Sequence, residues 1–307
     1  MPINLASSPL TKLYLGNTEI LKAYLGTIQV LPNFLLLDLY PSTAAFSLRK
    51  LRTAYSGSAV RVRRSSDNAE QNIGFNVNGG LDTTALNTFC TGANGFVTTW
   101  YDQQGSNNAT KTTQANQPKI YDSVTGVITQ NSKPAISFDG VDDFFESIAG
   151  IGFDMQTSSY SLSAIASLNS GALGLTRGLI TTRTAEPNWL TLGVVANNMY
   201  VESGLGGAKR DYTSTFTPAG AGLQSYFLTK NNTSSFLYRN GTVIGSRLDN
   251  IGGASSTSAT IKIGNWYWYS SPHIWRGTIQ ELIIYNTDQS SNRTAIETNI
   301  NTHYTIY

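Results

Sequence analysis

Apolar and polar positions alternate on a period of two through most of the chain. The clearest runs are Val60-Arg-Val-Arg, Phe96-Val-Thr-Thr-Trp-Tyr, Ala135-Ile-Ser-Phe, Tyr160-Ser-Leu-Ser-Ala-Ile-Ala, Ser225-Tyr-Phe-Leu-Thr, Phe236-Leu-Tyr-Arg, Thr260-Ile-Lys-Ile and Gly277-Thr-Ile-Gln-Glu-Leu-Ile-Ile-Tyr. Each is short and bounded by Gly, Asn or Ser, so each reads as a strand with one face turned inward. Many such strands predict an all-β fold, an antiparallel sandwich of jelly-roll type with a few short helices. Helical spacing is confined to three places. Ala45, Leu48 and Leu51 behind Ser42 and Thr43 predict a short amphipathic helix over 42–52. Asp82 caps a second over 82–89, and Thr294, Ile296 and Ile300 predict a last one over 290–302.

The chain opens on a phrase used twice. Thr11-Lys-Leu-Tyr-Leu-Gly-Asn-Thr-Glu-Ile is followed at once by Leu21-Lys-Ala-Tyr-Leu-Gly-Thr-Ile-Gln-Val, so that Tyr14 and Tyr24, and Gly16 and Gly26, stand ten residues apart. Each copy reads as a strand, a glycine turn and a second strand. Two such ribbons are too small to bury a core alone. Pro32-Asn33 breaks the pattern after the second copy and divides the chain into a docking element over 1–32 and a sandwich domain over 33–307. Ribbons with unpaired edges suit strand addition to another subunit, with Tyr14, Gly16, Tyr24 and Gly26 as the residues of that contact. Padding of one face of the same domain is the simpler alternative.

Composition narrows the setting. Charged residues make up 13% of the 307 positions, about half the usual share, so Asn, Thr, Ser, Gln and Gly must build the polar surface. A net charge of +2 gives no reason to expect nucleic acid or an anionic membrane as partner. The longest early apolar run, Phe34 to Leu37, is too short to cross a bilayer. Cys90 is the only cysteine, which excludes an intrachain disulfide and a thiolate zinc site. The first residues, Met-Pro-Ile-Asn-Leu-Ala-Ser-Ser-Pro, show neither a basic nor an apolar signal region. A polar β-rich chain without such a region fits assembly in a host cytoplasm and release by lysis.

Several phrases carry a resemblance. Ser47-Leu-Arg-Lys-Leu-Arg, Val60-Arg-Val-Arg-Arg-Ser-Ser-Asp, Ile73-Gly-Phe, Phe89-Cys and Trp100-Tyr-Asp-Gln-Gln-Gly-Ser-Asn-Asn-Ala resemble the catalytic sandwich of α-L-arabinofuranosidase B, and its relatives in bacteriophage virion proteins. Phe138-Asp-Gly-Val-Asp-Asp, Leu237-Tyr-Arg-Asn-Gly, Ile263-Gly-Asn and the 277–285 run are similar to laminin-G and concanavalin-A-like domains. The Tyr-Leu-Gly phrases resemble the ends of phage tail, fibre and head-appendage proteins. These resemblances imply a virion protein, on head or tail, that docks onto other capsid or tail proteins through its N-terminus. By analogy with phage fibres it would be a homo-oligomer, in particular a trimer. It would display a non-catalytic carbohydrate-binding domain for adsorption to a host-surface glycan. A glycoside hydrolase acting on arabinose-containing polysaccharide is one alternative, and a decoration protein without ligand is another. The family's pocket uses two adjacent cysteines, whereas Cys90 stands alone before Thr91.

Candidate chemistry gathers in two stretches. Asp139, Asp142, Asp143, Glu146 and Glu186 are the carboxylates available to a glycosidase, but none sits in a catalytic phrase, so no catalytic residue is assigned. Asp139, Asp142 and Asp143 could instead ligate calcium, the one cofactor the sequence raises, or simply satisfy turn amides. In Asn265-Trp-Tyr-Trp-Tyr-Ser-Ser-Pro-His-Ile-Trp, alternation from Ile261 and Ile263 turns Tyr267 and Tyr269 inward and Trp266 and Trp268 outward. With His273 and Trp275 near the same rim, these indoles form the expected sugar-contact surface. The alternative is that the rings pack under a neighbour. Arg61, Arg63 and Arg64 read as the charged face of a strand, with Asp67 and Glu70 as partners, and Asp102 as a cap on the turn at Gly105.

Overall fold

The computed structural model describes residues 13–15, 18–20, 24–25, 28–29, 34–147, 150, 158–169, 175–185, 188–195, 198–205, 208–213, 222–231, 234–247, 260–268 and 271–307. Two antiparallel sheets enclose the main core. The first is centred on Arg276–Tyr285, which pairs with Tyr160–Leu168 along one edge. Along the other edge lie Ile136–Asp139 and Ala44–Ser47, end to end. The sheet continues from Tyr160–Leu168 through Gln224–Lys230, Ser235–Arg239 and Thr242–Arg247. The second sheet begins Glu70–Ile73, Val60–Arg64, Gly95–Trp100, Ala109–Thr110 and Phe145–Ser147. It goes on through Thr260–Ile263, Arg177–Ala185, Asn188–Val195, Asn198–Leu205 and Ala208–Thr213. Lys119–Asp122 pairs with Gly95–Trp100 and with Ile136–Asp139, and so ties the two sheets along one side. The predicted antiparallel sandwich is the fold.

Side-chain alternation sorts the apolar residues into two cores. Phe46, Trp100, Phe138, Phe145, Leu282 and Ile284 lie between the sheets. Their rings form a chain, Phe46 to Trp100 at 6.0 Å, Trp100 to Phe145 at 6.2 Å and Phe145 to Phe138 edge-on at 5.8 Å. Ala45, Ile283 and Tyr285 point the other way, into a second core with Leu51, Ile296, Ile300 and Tyr304. The run Leu282-Ile-Ile-Tyr285 is therefore apolar throughout because both of its faces are covered.

That second core also explains one mistaken element. The helix predicted over 42–52 is a strand, Ala44–Ser47, followed by extended chain. Ala45, Leu48 and Leu51 do not share a face: Leu48 belongs to the core between the sheets, Ala45 and Leu51 to the core outside it. A strand buried on both sides mimics helical spacing when its apolar residues are divided between two layers. The other helices form as expected. Thr83–Cys90 is capped by Asp82, whose Oδ1 accepts from the Ala85 N–H at 3.0 Å. The last helix runs Arg293–Tyr304 rather than from Ser290, because Asp288 holds the Ser290 N–H in a turn at 2.9 Å. The opening repeat forms two hairpins as predicted, Leu13–Leu15 with Thr18–Ile20 and Tyr24–Leu25 with Ile28–Gln29. Gly16 and Gly26 lie outside the described residues, as do the side chains of Tyr14 and Tyr24.

One ion pair lies between the central strand and the last helix. Arg49 donates from Nε to Glu281 Oε2 at 2.8 Å and from its second guanidinium nitrogen to Oε1 at 3.0 Å. Ser47 Oγ donates to the same carboxylate at 2.8 Å and the Tyr304 hydroxyl donates to it at 3.3 Å, while Asn299 Oδ1 accepts from Arg49 at 2.8 Å. Burial pushes the Glu281 carboxyl up, but the Arg49 charge and the hydrogen bonds from Arg49 and Ser47 outweigh it, so Glu281 titrates below its ordinary value. Its contribution to stability is present at neutral pH and is lost as pH falls through that depressed value. Removing one partner leaves the other charge buried without its counter-ion. Arg49→Met is therefore expected to cost about 3–5 kcal/mol in urea unfolding, and the double replacement with Glu281→Leu much less than the sum of the singles.

Candidate functional site

Trp266 and Trp275 of the 265–275 aromatic stretch are buried rather than part of an open surface. Gly264, at a φ of +83°, separates Thr260–Ile263 from a hairpin made of Asn265–Trp268 and Ser271–Ile274. That hairpin folds back against Arg177–Ala185, with Ile274 bridged to Gly178. Trp266 is thereby buried, stacked on Tyr200 with ring centroids 5.5 Å apart. Glycines make the room for it. A Cβ at Gly178 would stand 2.1 Å from the Trp266 backbone nitrogen, and one at Gly193 would stand 3.0 Å from its Cε3. Trp275 is fully buried and donates from Nε1 to the Ser167 carbonyl at 3.0 Å. The expectation of exposed indoles is corrected at both positions, because extrapolated alternation could not foresee the hairpin that covers them. His273 is half-buried, with its titration lowered by burial and by Arg177. The side chain of Trp268 and the whole of Glu186 lie outside the described residues.

The basic strand keeps only part of its expected face. Arg61 pairs with Glu70 at 2.6 Å and Arg64 with Asp67 at 2.7 Å, as the sequence proposes. Arg63 shares Arg61's side of the strand but is buried there under neighbouring side chains. Its guanidinium lies over the Phe96 ring at 5.0 Å and donates to Gln117 Oε1 at 2.7 Å and Asn68 Oδ1 at 2.8 Å. Asp102 is buried and caps its turn, accepting from the N–H groups of Ala45, Gln104 and Asn107 at 2.9, 2.9 and 3.2 Å.

Beside Arg63 opens a cleft of ≈ 550 Å³ on the outer side of the corner strand Lys119–Asp122. Phe96 gives it an aromatic wall, Lys119 and its partner Asp122 an ion pair, Ser137 a hydroxyl, and Asp139 and Asp143 two further carboxylates. Lys119 is held toward Asp122 at 3.2 Å and lies 5.9 Å from the Phe96 centroid. The two aspartates belong to the turn that ends Ile136–Asp139. Asp139 Oδ1 accepts from Val141 and Asp142 N–H at 2.7 and 3.3 Å, and Asp143 Oδ2 accepts from the Asp139 N–H at 3.0 Å. Each carboxylate has a second oxygen that meets no hydrogen-bond donor among the described residues.

Asp139, Asp142 and Asp143 each offer an oxygen within 4.8 Å of the others. Burial, followed by the nearby charge of Asp139, pushes the Asp143 carboxyl up to about 7. A carboxyl that holds its proton toward neutral pH can donate a hydrogen bond as well as accept one, as a sugar hydroxyl requires. The same three groups have the oxygen chemistry that a hard cation takes. Cys90 takes no part: it is buried, and burial raises its thiol to about 11.

Comparison with known proteins bears on the same region. Residues 38–140 match the family model "Alpha-L-arabinofuranosidase B, catalytic". No curated protein matches the chain. Among solved structures, a GH54 α-L-arabinofuranosidase mutant soaked with 4-nitrophenyl α-L-arabinofuranoside is similar, with a TM-score of 0.64 at 15% identity over 87% of this chain and 64% of that one. A GH54 α-L-arabinofuranosidase soaked with a cyclic sulfate inhibitor gives 0.62 at 14% identity, with the same coverage. An arabinofuranosidase complexed with arabinofuranosyl-α-1,2-xylobiose gives 0.55 at 16% identity, also over 87% and 64%. The chain thus spans just under two thirds of the length of these proteins, and the likeness is one of fold.

A carboxyl whose folded-state titration is raised stabilises the fold below its unfolded value, and loses that contribution as pH rises through the folded one. For Asp143 the window runs from the ordinary aspartate value to about 7. Melting temperature is therefore expected to fall across this window, by an amount equivalent to a few kcal/mol. Asp143→Asn, whose side-chain oxygen can still accept from the Asp139 N–H, should flatten that dependence in a pH series of thermal melts.

Proposed function

We propose that this chain is a carbohydrate-recognising sandwich of arabinofuranosidase B type, and that the cleft beside Phe96 is its sugar site. One observation carries the reading. The segment 38–140 that matches the arabinofuranosidase B catalytic family supplies Phe96, Gln117, Lys119, Ser137 and Asp139 to the cleft wall, and Asp143 follows directly after it. The chemistry is of the right kind: an aromatic ring for the apolar face of a sugar, with a hydroxyl, a cation and two carboxyls for its hydroxyl groups. Arabinose-bearing glycans are the substrate class that the matching family and the similar structures favour. Hydrolysis and simple binding share this site and differ in whether the carboxyls act on the glycosidic bond.

Calorimetric titration with arabino-oligosaccharides, alongside assay with 4-nitrophenyl α-L-arabinofuranoside, tests the proposal. Binding that weakens about tenfold or more in Phe96→Ala and in Asp139→Asn is the expected outcome. Release of nitrophenol that Asp143→Asn abolishes would make the domain a glycosidase. Binding without release would make it a binding module. Absence of both, from a folded protein, overturns the reading.

A second reading concerns where the sandwich works. Each N-terminal hairpin is a two-stranded sheet of its own, joined to no other strand among the described residues. Free hairpin edges favour a docking element over 1–32 that holds the domain on a larger assembly. On this reading the assembly is a phage particle, built in the host cytoplasm, with the domain displayed in threefold copies toward a host glycan. Deleting residues 1–32 should leave a folded sandwich with unaltered sugar binding that no longer incorporates into particles. Unchanged incorporation would sink the docking role.

A further inference from the structure

A second cavity, of ≈ 380 Å³, lies away from the cleft. Its walls come from the loop ahead of the Thr83–Cys90 helix, from the turn between Thr129–Gln130 and Lys133–Pro134, and from the end of the Arg293–Tyr304 helix. No carboxylate among the described residues lines it. Lys133 contributes an ammonium, and Asn78 and Thr83 contribute side-chain groups that meet no partner among the described residues. We propose that this cavity binds a small oxyanion, a carboxylate or phosphate group carried by a polar ligand, held by Lys133, Asn78 and Thr83 with His303 beside it.

The surroundings remove the usual objections to an anion here. The carbonyls of Tyr304, which ends the helix, and of Thr305, its C-cap, accept from Asn131 Nδ2 at 2.6 and 2.7 Å, so these two oxygens are already engaged. Glu281, the carboxylate that acts on His303, has its charge met by Arg49 at 2.8 Å and accepts from the Tyr304 hydroxyl. The groups facing His303 are Arg49, Lys133 and Glu281. Burial first, then Arg49 and Lys133, lower its titration to about 4 against the opposing pull of Glu281. An imidazole in that position is neutral at physiological pH and can donate one hydrogen bond to an anion. A bound anion would favour its charged form and raise its titration point.

That coupling supplies the test, because the chain has two histidines and only His303 lines the cavity. The imidazole resonances of the full chain are followed by NMR over a pH series, alone and with sodium galacturonate, inorganic phosphate or neutral arabinose. The expected result is a saturable upward move of the His303 titration, by about one pH unit, with either anion and none with arabinose, while His273 stays in place. Response to galacturonate alone assigns the site to sugar acids, and response to both assigns it to oxyanions in general. Lys133→Met should weaken the anion about tenfold and Lys133→Arg should restore it, at unchanged melting temperature. No movement of His303 with either anion, an equal response to arabinose, or an affinity indifferent to Lys133 in a folded variant overturns the proposal. Sugar binding at the Phe96 cleft can succeed or fail independently of all three results.

Discussion

Because Arg276–Tyr285 is paired along both edges and covered on both faces, its residues set the position of almost everything around them. Every backbone group in its middle must find a partner in a neighbouring strand, and every side chain must find a layer. Leu282 and Ile284 are committed to the core between the sheets, Ile283 and Tyr285 to the core beneath the last helix. A slip of one residue would exchange the two sets and place Glu281 between the sheets, away from Arg49. The ion pair is thus a register lock as well as a stabilising contact, since burial forbids either charge to stand alone.

The cleft and the second cavity are both products of how the periphery closes around this strand. Lys119–Asp122 bridges the two sheets, and the cleft is the concavity left on the outer side of that bridge. The second cavity lies where the Asn76–Thr83 loop and the end of the last helix converge, beside Leu48 and Leu81 of the core between the sheets and Tyr304 of the outer one. Neither depends on loops between distant strands of the second sheet. Both stand on elements held by backbone hydrogen bonds to their neighbours, which suits a site that must keep its polar groups still.

Much of the architecture is legible in the chain because alternation reports burial directly. The strand runs at 60–64, 95–100, 160–168 and 276–285 are all visible as such. So is the Asp82 cap, whose chemistry is local. Legibility fails where a residue's surroundings come from far along the sequence. Ala45 and Leu48 look helical because two separate layers claim them. Trp266 looks exposed because the glycines that receive it, Gly178 and Gly193, lie more than seventy positions earlier. The cleft is half visible: Asp139 and Asp143 stand out as a pair, whereas Phe96, Lys119 and Ser137 carry no local signal and meet only through strand pairing.

The central place of Arg276–Tyr285 has a temporal side. Its partners Ala44–Ser47, Ile136–Asp139 and Tyr160–Leu168 are all made long before it during synthesis on the ribosome. Until residue 285 has cleared the exit tunnel, those strands lack the neighbour that completes their hydrogen bonds and closes both cores. Contacts of such sequence separation make folding slow and leave strand edges exposed in the meantime. Nascent chains that hold the partner strands without Arg276–Tyr285 are therefore open to association through those edges. Synthesis of that one strand then decides whether the earlier ones close into a sandwich or aggregate.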